Sequence, residues 1–232
     1  MTYPIRIHLP ELIYHVLNRG NNRQIVFAEE QDYLHYLEIL KRYKEKFNFK
    51  IFAYCLMTNH IHLLLKTSLE GTISQIMKAI TIAHTRHYHF KYNTSGHIWQ
   101  GRFKSPLVSN DEYLLAVMRY VEQNPLRAGM VDDPKNYPWS SFIANTTIQQ
   151  DSIVDKDANP AYLAFGATAE ERVKAYLSIA TSLLEEDKLE EIRKTLTGKH
   201  HYISERFQAQ MREKLALSQR RKRGRPRKII KS

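Results

Sequence analysis

Two helical stretches set among four short apolar strands, in the order β-α-β-β-α-β, predict an α+β fold for residues 1–145. The expected architecture is a ferredoxin-like or RRM-like antiparallel sheet with helices on one face. Two further observations extend this reading. After Trp139-Ser140-Ser141 the chain turns polar through 145–160, read as a linker or irregular segment, and helical patterning then returns, predicting a mainly helical extension over 146–218. Residues 219–232 form a basic tail.

Each element has a local reason. Ile13–Arg19, Lys50–Met57 and His60–Lys66 are strands by their apolar and β-branched content, and Lys104–Val108 is the fourth. Apolar residues at helical spacing predict helices over Gln31–Phe47 and Thr72–Phe90. Over Asp111–Asn124, Leu114, Leu115, Val117, Met118 and Val121 recur at the same spacing behind a capping box at Ser109-Asn110-Asp111-Glu112. Pro125 disfavours helical dihedrals at the residue before it, so this helix is expected to end near Asn124. In the extension, helices are expected at Thr168–Leu184, started by the Thr168-x-x-Glu171 box, and at Glu186–Thr195 and Ser204–Leu217.

Chemistry concentrates in two places. Asn59-His60-Ile61-His62-Leu63 sets two imidazoles at i and i+2 of a strand, so both point to one face and can share a metal ion. Two unrelated hydrogen-bonded histidines on a half-exposed strand would read alike. On the third helix, Tyr120 and Asn124 stand at i and i+4, a phenol one turn from an amide. A core tyrosine with an Asn that closes the helix is the bland counterpart.

Four motifs in order resemble the HUH single-tyrosine transposases, specifically the REP-associated tyrosine transposases of bacteria. They are Tyr14-His15-Val16-x-x-Arg19-Gly20-Asn21, Met57-x-Asn59-His60-Ile61-His62-Leu63, Trp99-Gln100-Gly101-Arg102-Phe103-Lys104-Ser105 and Tyr120-Val-Glu-Gln-Asn124-Pro-x-Arg127-Ala-Gly129. Weaker likeness lies in Tyr162-Leu-x-x-Phe165-Gly166 and Ser204-Glu205-Arg206-Phe207. The resemblance implies metal-dependent cleavage and rejoining of single-stranded, REP-like hairpin DNA through a 5′-phosphotyrosine, with Tyr120 as nucleophile. It also implies that His60, His62 and an amide on the tyrosine helix hold Mg²⁺ or Mn²⁺. Asn124 is the expected third ligand by its i+4 position, with Gln123 the alternative. The rival reading is a non-catalytic hairpin-binding protein descended from a transposase. An RNA-binding domain of the same topology would carry RNP-type aromatics on its central strands, where Asn59–Leu65 has histidines.

The chain of 232 residues carries a net charge of +11, from 35 Lys and Arg against 24 Asp and Glu. Eight of those cations fall within 220–231, where there is no acid. Arg223-Gly224-Arg225-Pro226-Arg227 resembles an AT-hook core, in which arginines enter a narrow minor groove, making AT-rich duplex DNA a second expected partner. Arg19, Asn21 and Arg23 at the first turn, and Trp99, Arg102 and Lys104 in an aromatic and cationic loop, are the other expected DNA contacts. His84, His87 and His89 are expected near phosphates with Arg86 and Lys91, not as a second metal site. A single cysteine, Cys55, read as a small core residue, and the absence of a long apolar run fit a cytoplasmic protein with no membrane partner, which the resemblance would make bacterial and nucleoid-associated; monomer and dimer both stay open, with a monomer favoured.

Overall fold

The computed structural model describes residues 10–108 and 111–197, all within one compact unit. Its sheet has four antiparallel strands in the order β2-β3-β1-β4: β1 Ile13–Arg19, β2 Lys50–Met57, β3 His60–Lys66 and β4 Leu107–Val108. The first three match their expected bounds. β4 is shorter than Lys104–Val108 because Pro106 has no N–H to donate. Lys104 still exchanges backbone bonds with Leu17, and Pro106 accepts one from His15 through its carbonyl.

Helices α1 (Glu30–Phe47) and α2 (Ile73–Tyr92) are the two crossovers. Capping boxes start both, Glu29 with Asp32 and Thr72 with Gln75, and both end on an asparagine in the left-handed region, Asn48 and Asn93. The register separates the sheet's faces. His15, Leu17 and Arg19 stand opposite Leu64, His62 and His60, so these side chains share one face, while Val16 and Asn18 share the other with Leu63 and Ile61. Asn18 meets Ser74, Lys78 and Thr81 of α2, which places the crossover layer on this second face.

The histidine face is also covered, so helices flank the sheet on both sides. Helix α3 (Asp111–Glu122) buries Leu114, Val117, Tyr120 and Val121 in one cluster with Ala53, Cys55, Met57 and Leu64. Each fully buried aliphatic side chain there contributes about 1.5–3 kcal/mol. Cys55 is the core residue expected of it, and burial pushes its thiol up. The capping box expected for α3 begins at Ser109 and Asn110, outside the described residues.

The tyrosine helix ends near Asn124 as expected: α3 stops at Glu122, and a separate turn, α4 (Asn124–Arg127), follows with Pro125 in its first turn, where a missing N–H costs nothing. One expectation is corrected downstream: 145–160 is not a linker. Asp155 donates its N–H to the Ile51 carbonyl at the β2 edge, accepts the Ile51 N–H on its carboxylate and pairs with Lys44 and Lys50, while the ammonium of Lys156 donates to the carbonyls of Ala144, Thr147 and Gln149. Its polar composition reflects these buried bonds, and the unit runs unbroken across the expected boundary at 145. Short helices α5 (Phe142–Thr146) and α6 (Pro160–Leu163) flank this segment. Then come α7 (Ala169–Ala180), shorter than expected but started by the Thr168–Glu171 box, and α8 (Glu186–Leu196). The expected helix Ser204–Leu217 and the tail 219–232 lie outside the described residues. Among the described residues no helix is long and apolar enough to cross a membrane.

Candidate active site

His60 and His62 come together on the α3 face of β3, their ring centroids 5.2 Å apart. Each ring is oriented through Nδ1. His60 Nδ1 lies 2.6 Å from Asn59 Oδ1, an acceptor, so that nitrogen carries the proton and Nε2 keeps its lone pair. His62 Nδ1 lies 2.9 Å from His15 Nε2. If His62 donates, its Nε2 is likewise a ligand atom, with His15 in the supporting position that metal-bound histidines use. Burial keeps these imidazoles neutral: it pushes His60 down to about 4 and His15 to about 3, and holds His62 well below its ordinary range, with the charge of neighbouring Arg19 adding to the effect at His60 and His62. Neutral imidazole is the metal-binding form.

Tyr120 closes this cluster from α3. Its ring is edge-on to both His15 and His62, 5.7 Å from each centroid. The guanidinium of Arg127 lies over the ring, 4.5 Å from its centre, and also donates to the Tyr120 carbonyl. Two other tyrosines are committed elsewhere: Tyr113 pairs its hydroxyl with Thr195, and Tyr88, on α2, donates to the Ile25 carbonyl.

The two amide candidates differ. Asn124 donates from Nδ2 to the carbonyls of Tyr120 (2.8 Å) and Val121 (3.3 Å), closing α3 and leaving Oδ1 as the atom a cation could use. Gln123 is buried and turned to the extension, donating to the carbonyls of Ala180 and Ser182 while its Oε1 accepts from Arg127. Among the described residues no three or more His, Cys, Asp or Glu side chains form a metal cage, so a cation here would draw on an amide, water or substrate oxygens.

The expected DNA-contacting residues divide into groups. Arg19 shares the histidine face, opposite His60. Asn21, Trp99 and Arg102 meet across a cavity of about 600 Å³ between α2 and the 96–103 loop, with Lys78, His97 and Phe103. Backbone bonds Asn21 N to Ile98 O and Gln100 N to Arg19 O knit the loop to the first turn. Gly20 allows the first turn itself to close, since a Cβ there would lie 2.3 Å from the Gln24 carbonyl. Arg23 and Lys104 are exposed outside this cavity, and Arg223, Arg225 and Arg227 lie outside the described residues.

Other cations and histidines are structural. His84 is fully buried on the Val26 carbonyl, while His87 and Lys91 both engage the buried Asp32 carboxylate, so these three do not form the phosphate surface expected of them. Two site residues escaped sequence reasoning as functional groups, His15 and Arg127. His15 is legible only once β1 is paired with β3, and Arg127 only from its i+7 spacing to Tyr120.

Comparison with known proteins fits this arrangement. The family described as "Transposase IS200 like" matches residues 8–124. A Haemophilus influenzae protein named as a REP-associated tyrosine transposase is 32% identical over 109 residues, which cover 42% of this chain and 61% of that protein. The chain therefore spans less than two thirds of that relative. A solved REP-associated tyrosine transposase bound to a REP hairpin superposes with a TM-score of 0.53 at 21% identity, covering 62% of this chain and 85% of the other, a likeness of fold.

Proposed function

Because the chain belongs to the IS200-like transposase family, we propose that it cleaves and rejoins single-stranded DNA at REP-like hairpins, with Tyr120 as nucleophile. The observation that carries this reading is the convergence of one phenol with a histidine pair held neutral by burial. A core tyrosine needs no such neighbours. The hairpin partner is suggested by the solved relative, which was captured on a REP hairpin.

The phenolic oxygen of Tyr120 attacks phosphorus and loses its proton, the P–O3′ bond breaks, and the leaving oxygen takes up a proton as a 3′-hydroxyl. The 5′ end remains on Tyr120 as a phosphodiester, so the reverse attack rejoins strands without ATP. Nε2 of His60 and His62, with Oδ1 of Asn124, would hold Mg²⁺ or Mn²⁺; this assignment over Gln123 rests on Gln123's amide being occupied. When bound, the ion supplies positive charge to the scissile phosphate. His15 and Asn59 orient the two imidazoles, and α3 covers the site against water. The cavity beside Trp99 and Arg102 lies at the same end of β1 on the opposite face, where unpaired nucleotides flanking the cut would stack and pair their phosphates.

The test is covalent capture. Incubated with single-stranded REP-like hairpins and Mn²⁺, the protein is expected to form a denaturation-resistant DNA adduct that Tyr120→Phe and EDTA abolish. His60→Ala or His62→Ala should slow adduct formation about 100-fold or more while hairpin affinity stays within a few-fold, because phosphate contacts elsewhere dominate binding. Tight hairpin binding with no adduct would establish the non-catalytic binder instead, and an adduct from Tyr120→Phe would move the nucleophile elsewhere.

A further inference from the structure

Arg127 is a half-buried cation for which no carboxylate partner is found among the described residues. Burial, with the charge of Arg193 adding to it, pushes its guanidinium down to about 10, so the fold tolerates a costly charge at this position. Arg127 sits at the end of the α4 turn that follows the break after α3, and its side chain leans back toward the helix start to lie over the Tyr120 ring. Two of its contacts are internal, to the Tyr120 carbonyl and to Gln123 Oε1, the latter a long 3.4 Å. A guanidinium has five N–H donors in a planar fork, a geometry matched to phosphate oxygens. Its charge also reaches His62, across the same cluster.

We propose that Arg127 receives the scissile phosphate: stacked on the Tyr120 ring, it offers its remaining donors to a non-bridging oxygen and so fixes the phenolic oxygen and the phosphorus in one geometry. This rests on the reading of Tyr120 as the nucleophile. It assigns to one side chain both the orientation of the attacking ring and the recognition of the group attacked. Lysine would keep the charge but lose the planar stack and the fork.

The experiment is a cycle between the side chain and the substrate oxygen. With a REP-like hairpin oligonucleotide whose cut phosphate has been mapped from the wild-type adduct, single-turnover adduct formation is measured at saturating DNA and Mn²⁺. Arg127→Met is expected to lower the rate about 100-fold and Arg127→Lys about 10-fold, with hairpin affinity within a few-fold of wild type. A methylphosphonate at the mapped linkage should slow the wild type strongly but Arg127→Met little further. Added guanidinium should restore part of the rate of Arg127→Ala, which misfolding would not allow. Multiplicative losses in the cycle, an unchanged rate in Arg127→Met, or an absence of rescue in a folded Arg127→Ala would each overturn the proposal. If the wild type forms no adduct on any hairpin, the nucleophile assignment fails and this inference falls with it.

Discussion

His84 shows what a buried imidazole costs this chain. It is fully enclosed on α2, donates from Nε2 to the Val26 carbonyl at 3.0 Å, and faces His87, His35 and the Asp32 carboxylate. Burial pushes it down to about 4, so the native state refuses a proton that the unfolded chain accepts near pH 6.5. As the folded value is the lower one, stability is complete above pH 6.5 and is lost as pH falls toward 4, by up to about 3 kcal/mol. His84→Gln can keep the bond to Val26 without titrating. Urea unfolding at pH 7 and pH 4.5 should show the variant losing about 2 kcal/mol less than wild type across that interval. Equal losses would place the acid sensitivity elsewhere. Residues of this kind set the limit of sequence reading. His60-x-His62 is legible because alternation within one strand is enough to put both rings on a face. His15 needs the antiparallel register of β1 on β3, a non-local fact, and His84 looks like a surface residue of a basic helix until the fold buries it.

Elements tell a similar story, with the helix of Tyr120 as the example. The apolar spacing of α3 gives its existence and its buried face, yet its end is set by partners far along the chain. Just past Tyr120, the buried Glu122 carboxylate accepts from Ser141, Asn145 and Tyr176, all within 2.7 Å. Gln123 and Arg119 donate to carbonyls between Ala180 and Leu183. These grips from α5, α7 and the chain after it hold the last turn of α3 where Tyr120 meets the histidines. Pro125 marks that end in the sequence, and a second, separate turn follows it. Tyr176→Phe removes one donor from a buried carboxylate whose own pKa burial already raises, and should cost about 1.5–3 kcal/mol in urea unfolding. Adduct formation at saturating DNA should persist below the lowered melting temperature, because the remaining two donors still anchor Glu122. An unchanged unfolding midpoint would show that Tyr176 contributes nothing net to this anchor.

For the molecule as a whole, composition suggested three parts where contacts build one compact unit across all the described residues. A polar run such as Gln149–Asp157 resembles a linker, because a sequence does not reveal that Lys156 and Asp155 will be satisfied by carbonyls, an N–H and β2's neighbouring lysines. Truncation separates the two pictures. A chain ending at residue 145 would strip Tyr176 from Glu122 and the Ala180 and Ser182 carbonyls from Gln123, and would bare the cluster surface that Tyr162, Leu189, Ile192 and Leu196 cover. Its core loses several fully buried side chains worth about 1.5–3 kcal/mol each, more than the usual 5–15 kcal/mol margin can absorb. It is therefore expected to unfold without a cooperative transition or to precipitate, while a chain ending at residue 202 should melt cooperatively. The second chain also tests the basic tail, since it lacks all eight cations of 220–231. Each phosphate neutralised contributes about 0.7–0.9 to the slope of log affinity against log salt, so contact by half of those cations predicts a slope shallower by about 3. The single-turnover adduct rate at saturating hairpin should match that of the full chain, as His60, His62, Tyr120 and Arg127 all lie in that unit. A cooperative, soluble 1–145 fragment would restore the boundary read from composition. An unchanged salt slope in the 1–202 chain would make the tail a solvated end, and a collapse of its saturated rate would place the segment after residue 202 in the active site.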